Sequence, residues 1–218
     1  MQGKKSLPIV IIVAGVVLAA GAAFLLRRSD ADTPPKIEDR VVDTGAGGHL
    51  RGAPDARVTL VEYGDFQCPS CGYYFPIVES LLEGAPDLVK LEFHHFPLIQ
   101  VHPNALPAAL AAEAAAEQGK FWEMHDLLFQ SQTAWSAKPS AEEDFVVMAQ
   151  RLGLDSEKFK QSMKSDETRA RVLKDVERGR AAQVEGTPSF FINGRPVHPL
   201  PQSVQAFKQI VEEGVASK

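Results

Sequence analysis

The chain has 218 residues, of which 44% are hydrophobic and 23% are charged, and its formal net charge is −5. This composition excludes wholesale disorder and fibrous repeats, and the acidic balance excludes a protein that binds nucleic acid through charge. At ~150 residues per domain, the length predicts one domain with attachments.

The first predicted element is an apolar segment at the N-terminus. Residues 7–26 carry no charge, and twenty helical residues at ~1.5 Å each span the ~30 Å hydrocarbon core of a membrane. We predict that residues 1–28 form an uncleaved signal anchor, which is a transmembrane helix. The alternative is a signal peptide that is cleaved after Ala22, where small residues alternate. Basic residues at both ends leave the orientation open.

The next predicted segment is a flexible linker over residues 29–56, because Pro and Gly punctuate a polar sequence there. The folded domain is predicted over residues 57–218. β-branched and aromatic residues predict its strands, and apolar spacing predicts its helices. The predicted strands are 58–63, 88–96, 189–192 and 195–198, and the predicted helices run from the cysteines to Gly84, over 105–118, from Phe121, from Ser140, after Asp155, over 166–184 and from Val204.

This order of elements predicts an α/β fold: a sheet with helices on both faces and an inserted helical subdomain at about residues 103–184. Three local details accompany it. Ser140 and Glu143 have the spacing of a capping box, and Asp155 is placed to cap a short helix. Leu173 is predicted to face inward on the long helix over 166–184.

The only two cysteines, Cys68 and Cys71, stand together where a strand gives way to a helix. They exclude a disulfide-dense scaffold and a zinc site of four cysteines. The spacing brings both sulfurs within disulfide reach on one helical turn, and Pro69 fits a first-turn position. The free N–H groups of a helix N-terminus stabilise a thiolate. We therefore predict Cys68 as the exposed nucleophile and Cys71 as the resolving thiol.

The alternatives for this pair are half of a metal site and an inert structural disulfide. Zinc would need two further ligands, and no two histidines have the spacing of a zinc-binding pair. We expect the histidines to be packing or capping residues and expect no metal. They are His49, His94, His95, His102, His125 and His198.

A second motif lies far along the chain, at residues 186–194 (GTPSFFING). Pro188 opens an apolar strand, and a proline is unusual there unless its peptide bond is cis or the strand is an edge. The residues alone leave both alternatives open.

Together, residues 63–71 (YGDFQCPSC) and 186–194 resemble the two signatures of the DsbA-like thiol:disulfide oxidoreductases, which have a thioredoxin fold with a helical insertion. The resemblance extends from about Gly52 to the C-terminus. It implies that Cys68 is the nucleophile and that Cys71 is its partner. It also implies that the Thr187–Pro188 bond is cis and packs against the cysteine pair, and that Thr187 and Pro188 bind substrate beside the thiols.

The resemblance also assigns a role to Glu62, six residues before Cys68. Thioredoxin-fold proteins often place a buried acid at this point, which implies that Glu62 takes the proton from Cys71. The alternative is a glutamate at a sheet edge that reaches water.

The implied function is an extracytoplasmic oxidase that introduces disulfides into reduced secreted or envelope proteins through a mixed disulfide at Cys68. No cofactor is expected, since the cysteine pair is the redox centre, and a quinone-linked membrane partner would recharge it. Disulfide chemistry outside the cytosol predicts a single-pass membrane protein with an extracytoplasmic C-terminal domain. The alternatives are a membrane-tethered reductase or isomerase, a copper metallochaperone that uses the two thiolates, and a non-catalytic binding domain.

Overall fold

The structure is a computed structural model that describes residues 34–44 and 47–216. The predicted signal anchor lies outside these residues, and no helix within them is long and apolar enough to cross a membrane. The strands are β1 (His49–Arg51), β2 (Val58–Gly64), β3 (Val89–His95), β4 (Ser189–Ile192) and β5 (Arg195–Pro196). The helices are α1 (Pro69–Gly84), α2 (Ala105–Ala116), α3 (Phe121–Gln130), α4 (Gln132–Trp135), α5 (Glu142–Arg151), α6 (Ser156–Met163), α7 (Asp166–Ala181) and α8 (Val204–Ala216).

The described strands form one mixed sheet in the order β1-β3-β2-β4-β5. β2 lies at its centre, parallel to β3 and antiparallel to β4. Because helices cover both faces, β2 is buried along almost its whole length and its side chains do not alternate between buried and exposed. The predicted thioredoxin-like α/β fold is confirmed. The carboxyl end of β2 leads directly to the cysteines.

Two apolar layers fix the sheet. On one face, Tyr74 of α1 and Phe207 of α8 pack against Phe190 of β4. On the other face, Tyr63 of β2 and Phe191 of β4 pack edge to face beneath the end of α7. Alternation of side chains along β4 therefore sends neighbouring phenylalanines to opposite layers.

The helical insertion predicted at about 103–184 corresponds to α2 through α7. Its core contains fully buried Trp135, Phe145 and Phe159, and the same apolar cluster continues to Cys68 and Cys71. The insertion therefore forms one wall of the region around the cysteines.

The structure differs from the predicted linker, because ordered elements lie within residues 29–56. β1 pairs antiparallel with β3, and Ile37 forms a bridge with Val197. The ordered domain thus begins well before Arg57. A three-residue strand between glycines leaves too short a pattern for detection from sequence.

Two local predictions are wrong. α5 begins at Glu142 after Ala141 and has no side-chain cap, so the capping box at Ser140 does not form. Leu173 is 46% exposed, whereas the neighbouring Val172 is fully buried in α7. The predicted cap at Asp155 is confirmed, because its carboxylate accepts hydrogen bonds from two backbone N–H groups of α6.

Candidate active site

The cysteine pair lies at the N-terminus of α1. Cys68 is the N-cap residue in extended conformation, Pro69 occupies the first turn, and Cys71 lies one turn inward. Both thiols are free in the structure. Cys68 is 7% exposed and Cys71 is fully buried, so the predicted order of exposure is confirmed although Cys68 is less accessible than expected.

The two thiols have opposite acidities. The hydrogen bond from the Cys71 thiol lowers the pKa of Cys68 to about 5, aided by Thr187 and the N–H groups of Ser70 and Cys71, while burial opposes this shift. Burial raises the pKa of Cys71 well above its ordinary value, and the hydrogen bond to Cys68 adds to the shift. At neutral pH the pair therefore holds one thiolate, at Cys68, and one thiol, at Cys71.

Thr187 and Pro188 come from the loop before β4. Their peptide bond is cis, as predicted, and the Thr187 carbonyl oxygen lies 3.3 Å from Cys68 Sγ. The Thr187 hydroxyl is buried and has no conventional hydrogen-bond partner among the described residues, yet it contributes to the lowered pKa of Cys68. The structure thus brings together the two motifs that the sequence separates by more than a hundred residues.

Glu62 lies inside the sheet on β2 and is almost completely buried. Burial raises its pKa to about 8, with smaller contributions from the negative charges of Glu79 and Cys68. The charge of Glu62 in turn contributes to the raised pKa of Cys71. The alternative of a glutamate that reaches water at a sheet edge is therefore wrong.

Sequence reasoning missed several polar residues that fix the cysteine turn. The Gln132 side chain donates hydrogen bonds of 2.8 Å to the carbonyl oxygens of Phe66 and Cys68. Gly72 makes room for it, because a Cβ at that position would lie 2.4 Å from Gln132 Oε1. Gln67 donates to the carbonyl oxygen of Ser136. These partners lie far apart in sequence, so no local pattern signals them.

One group of described residues has the composition of a metal site: His49, His95 and Glu113. Both imidazole Nε2 atoms contact Glu113 Oε1, at 2.6 Å and 3.0 Å. The second carboxylate oxygen accepts a 2.8 Å hydrogen bond from Arg171 Nε. We call these four residues the helix clamp. Its charges are already balanced, and His95 Nδ1 has no partner of the kind that orients a metal-binding histidine.

The aromatic residues near the site divide as follows. Tyr73 is exposed on α1, whereas Phe66, Tyr74, Phe190 and Phe191 are buried in the core. An open groove of about 1010 Å³ lies beside the cis-proline, lined in part by Thr187, Pro188 and Phe190. Neither cysteine lines this groove, and Thr187, whose carbonyl oxygen contacts Cys68, connects it to the site.

The comparisons with known proteins agree with this geometry. The family model described as thioredoxin matches residues 44–213. A thioredoxin-like oxidoreductase from Silicibacter pomeroyi DSS-3 is 25% identical, with a TM-score of 0.68 over 81% of this chain and 98% of that one. Oxidised BdbD from Bacillus subtilis is 21% identical, with a TM-score of 0.70 over 84% of this chain and 100% of that one. At this identity the second likeness concerns the fold alone.

Curated relatives match only in part of their length. The Na(+)/H(+) antiporter NhaA 3 of Salinispora tropica is 43% identical over 169 residues, which cover 78% of this chain and 25% of the antiporter. The chain spans about a quarter of the length of the first such relatives. The name antiporter belongs to those longer proteins.

Proposed function

Because the chain belongs to the thioredoxin family and has a DsbA-like thioredoxin fold, we propose that it is a thiol:disulfide oxidase that introduces disulfides into reduced proteins outside the cytosol. The observation that carries this proposal is the split acidity of the two thiols. A pKa of about 5 at Cys68 stabilises the reduced pair. A stabilised reduced form makes the corresponding disulfide a stronger oxidant.

The reaction proceeds in two exchanges. A substrate thiolate attacks Cys68 Sγ of the oxidised pair, the Cys68–Cys71 bond breaks, and Cys71 leaves and is protonated. A second substrate thiolate then attacks the substrate sulfur of the mixed disulfide, and Cys68 leaves as a thiolate. Two electrons pass from substrate to the cysteine pair, and a leaving thiol of low pKa departs faster.

Residues around the cysteines supply substrate binding and proton exchange. The Thr187 carbonyl oxygen lies beside Cys68, and the groove next to the cis-proline has room for an extended substrate segment. We propose that Thr187 and Pro188 hold this segment as an added strand. Glu62, with a pKa of about 8, exchanges a proton with Cys71 as that sulfur leaves or attacks.

The cellular setting belongs to the same proposal. Residues 1–28 would anchor the chain in the cell membrane, with the domain on the extracytoplasmic side where disulfides persist. The substrates would be reduced secreted or envelope proteins. A quinone-linked membrane partner would reoxidise Cys68 and Cys71, and no soluble cofactor would be required.

The reduction potential tests the proposed direction. The full chain is equilibrated with glutathione buffers, and the oxidised fraction is measured against a Cys68→Ser control. A potential above about −200 mV supports the oxidase, whereas one near −270 mV indicates a reductase. Stoichiometric copper binding by the reduced chain that is lost in Cys68→Ser, without exchange activity, would instead indicate a metallochaperone.

A further inference from the structure

Asp65 lies in the turn between β2 and the cysteines and is almost completely buried. Its carboxylate Oδ1 accepts a 2.8 Å hydrogen bond from the backbone N–H of Gln67. Its carbonyl oxygen accepts a 3.0 Å hydrogen bond from the backbone N–H of Cys68. The residue therefore fixes the path of the chain immediately before the nucleophile.

The other carboxylate oxygen of Asp65 reaches a second segment, the loop after β3. Oδ2 accepts a 3.0 Å hydrogen bond from the backbone N–H of Leu98 and lies 2.6 Å from His102 Nδ1. The Asp65 side chain is fully buried in this contact, whereas that of His102 is partly exposed. Since the loop is held by two hydrogen bonds to one oxygen, it anchors the carboxylate in a single orientation.

The backbone of Asp65 faces the buried thiol. Its N–H points at Cys71 Sγ, with 3.5 Å between nitrogen and sulfur. A donor in this position stabilises a thiolate, and it opposes the burial that raises the pKa of Cys71. When the reduced pair is reoxidised, Cys68 first forms a mixed disulfide with the oxidant, and Cys71 must become a thiolate to attack Cys68 Sγ and close the disulfide.

We propose that Asp65, anchored by His102, is the positioning residue for this resolving attack, since its side-chain contacts aim its own N–H at Cys71 Sγ. The inference rests on the proposed exchange chemistry and adds two residues to it. Asp65 touches the reacting sulfur only through its backbone, so its carboxylate acts through the geometry of the turn.

The two steps of the reaction can be separated with dithiobis(nitrobenzoate). The Cys68 thiolate of the reduced chain attacks this reagent, forms a mixed disulfide and releases one thionitrobenzoate. Cys71 then loses its proton and attacks Cys68 Sγ, which closes the Cys68–Cys71 disulfide and releases a second thionitrobenzoate. Stopped-flow absorbance of the full chain records both releases, the first reporting Cys68 and the second reporting Cys71.

Three variants test the proposal. Asp65→Ala removes all three side-chain hydrogen bonds of Asp65, whereas His102→Leu removes only the one to His102 and leaves those from the N–H groups of Gln67 and Leu98. In His102→Asn the side-chain amide can still donate to Asp65 Oδ2, so this variant is the matched control. We expect Asp65→Ala and His102→Leu to slow the second release about tenfold, the effect of one lost hydrogen bond to a charged group. The first release should change by less than about twofold, and His102→Asn should restore the second.

A merely structural role predicts a different pattern. If Asp65→Ala and His102→Leu slow both releases equally, or leave the second unchanged, the proposal is wrong. His102→Leu carries the test alone if Asp65→Ala does not fold. If the wild-type chain itself shows no second release, the proposed exchange function fails first, and that result is distinct from a normal wild type with unaffected variants.

Discussion

Glu62 and Glu113 are both buried glutamates, each only 4% exposed, yet their pKa values are shifted in opposite directions. Beside the cysteines, burial raises the pKa of Glu62 to about 8 and the nearby negative groups add to the shift. In the helix clamp, burial would also raise the pKa of Glu113, but hydrogen bonds from His49 and His95 outweigh it and lower the value. The two pKa shifts differ because of the hydrogen-bond partners of each carboxylate and not because of how deeply it is buried.

The same contrast extends to the residues around each site. On the other side of β3, Asp175 bonds to His94 Nδ1 at 3.0 Å and to Arg178 Nη1 at 2.8 Å. The contact between His94 of β3 and Asp175 of α7 holds the helical insertion against the sheet, and Arg178 pairs with Asp175 within α7. The active site instead leaves Glu62 with a pKa of about 8 beside one thiolate, at Cys68, and one thiol, at Cys71. This arrangement serves proton and electron transfer and costs stability. The ion-paired residues of the helix clamp and of α7 contribute stability, whereas Glu62 and the two cysteines contribute reactivity.

The largest expected effect concerns the cysteines. Cys68→Ser should abolish disulfide exchange, because no nucleophile remains. Cys71→Ser should instead accumulate mixed disulfides with substrates, since the resolving thiol of the pair is missing and only a second substrate thiol can release them. Non-reducing electrophoresis with mass spectrometry measures both outcomes. Trapping by Cys68→Ser and not by Cys71→Ser would reverse the roles of the two residues.

The second prediction concerns the helix clamp. Glu113→Gln should lower the free energy of unfolding at pH 7 by about 3 kcal/mol, because the buried carboxylate that accepts hydrogen bonds from His49, His95 and Arg171 loses its charge. Because the folded pKa of Glu113 is lowered, its contribution is present above the unfolded pKa near 4.5 and is lost as the pH falls below it. Denaturant unfolding across this range measures both effects.

Glu117→Gln is the matched control for the clamp. Glu117 lies one helical turn further along the chain and also contacts Arg171, but it is exposed. An exposed pair contributes less than about 1 kcal/mol. Equal losses in the two variants would show that burial and pairing at Glu113 have no special effect on stability.

The third prediction concerns the unpaired carboxylate. Glu62→Gln should stabilise the protein by an amount that grows as the pH rises from 5 to 8, by up to about 4 kcal/mol at 1.36 kcal/mol per pKa unit. In the unfolded chain Glu62 ionises near pH 4.5, whereas in the folded chain it stays protonated until about pH 8. Between these values ionisation favours the unfolded state, so the wild type loses stability that the variant retains. Denaturant unfolding is compared in a background with both cysteines changed to serine, so that thiol titration does not contribute.

The same variant should also slow the resolution of mixed disulfides near neutral pH, when it is made in the chain with both cysteines present. Glu123→Gln, at an exposed pair on α3, is the control for both measurements. A stability difference for Glu62→Gln that does not vary with pH would contradict the raised pKa.

The smallest effect is expected at Thr187. Thr187→Val removes the hydroxyl and should move the pKa of Cys68 upward from about 5, because the Thr187 side chain is one of the polar groups that lower it. Thr187→Ser retains the hydroxyl and should leave the value close to that of the wild type. Thiolate absorbance against pH measures the shift, and equal shifts in both variants would exclude the hydroxyl as the cause.

The parts of the molecule that sequence reasoning predicted rest on local chemistry. The strand at Val58, the helix that begins at the cysteines and the hairpin at Asn193–Gly194 all carry short-range signals. Cys68, Cys71 and Pro188 could be identified because their residue types are rare at such positions. The resemblance to a known family then joined two distant motifs.

The parts that sequence reasoning missed depend on contacts between distant segments. His49 lies in β1, within the predicted linker, and its carboxylate partner Glu113 is far along the chain. The anchoring of Asp65 by His102 likewise joins separate segments. The sequence does not reveal which side chain a histidine contacts. The five histidines that pair with carboxylates in the structure could therefore be predicted only as packing or capping residues.

The most direct test of this account is the ionisation of Cys68 in the reduced full chain. Thiolate absorbance is followed against pH, with Cys68→Ser as the baseline. The account predicts one thiol that ionises near pH 5 while the other stays protonated through neutral pH. Two thiols that ionise together near the ordinary cysteine value of about 9 would contradict it.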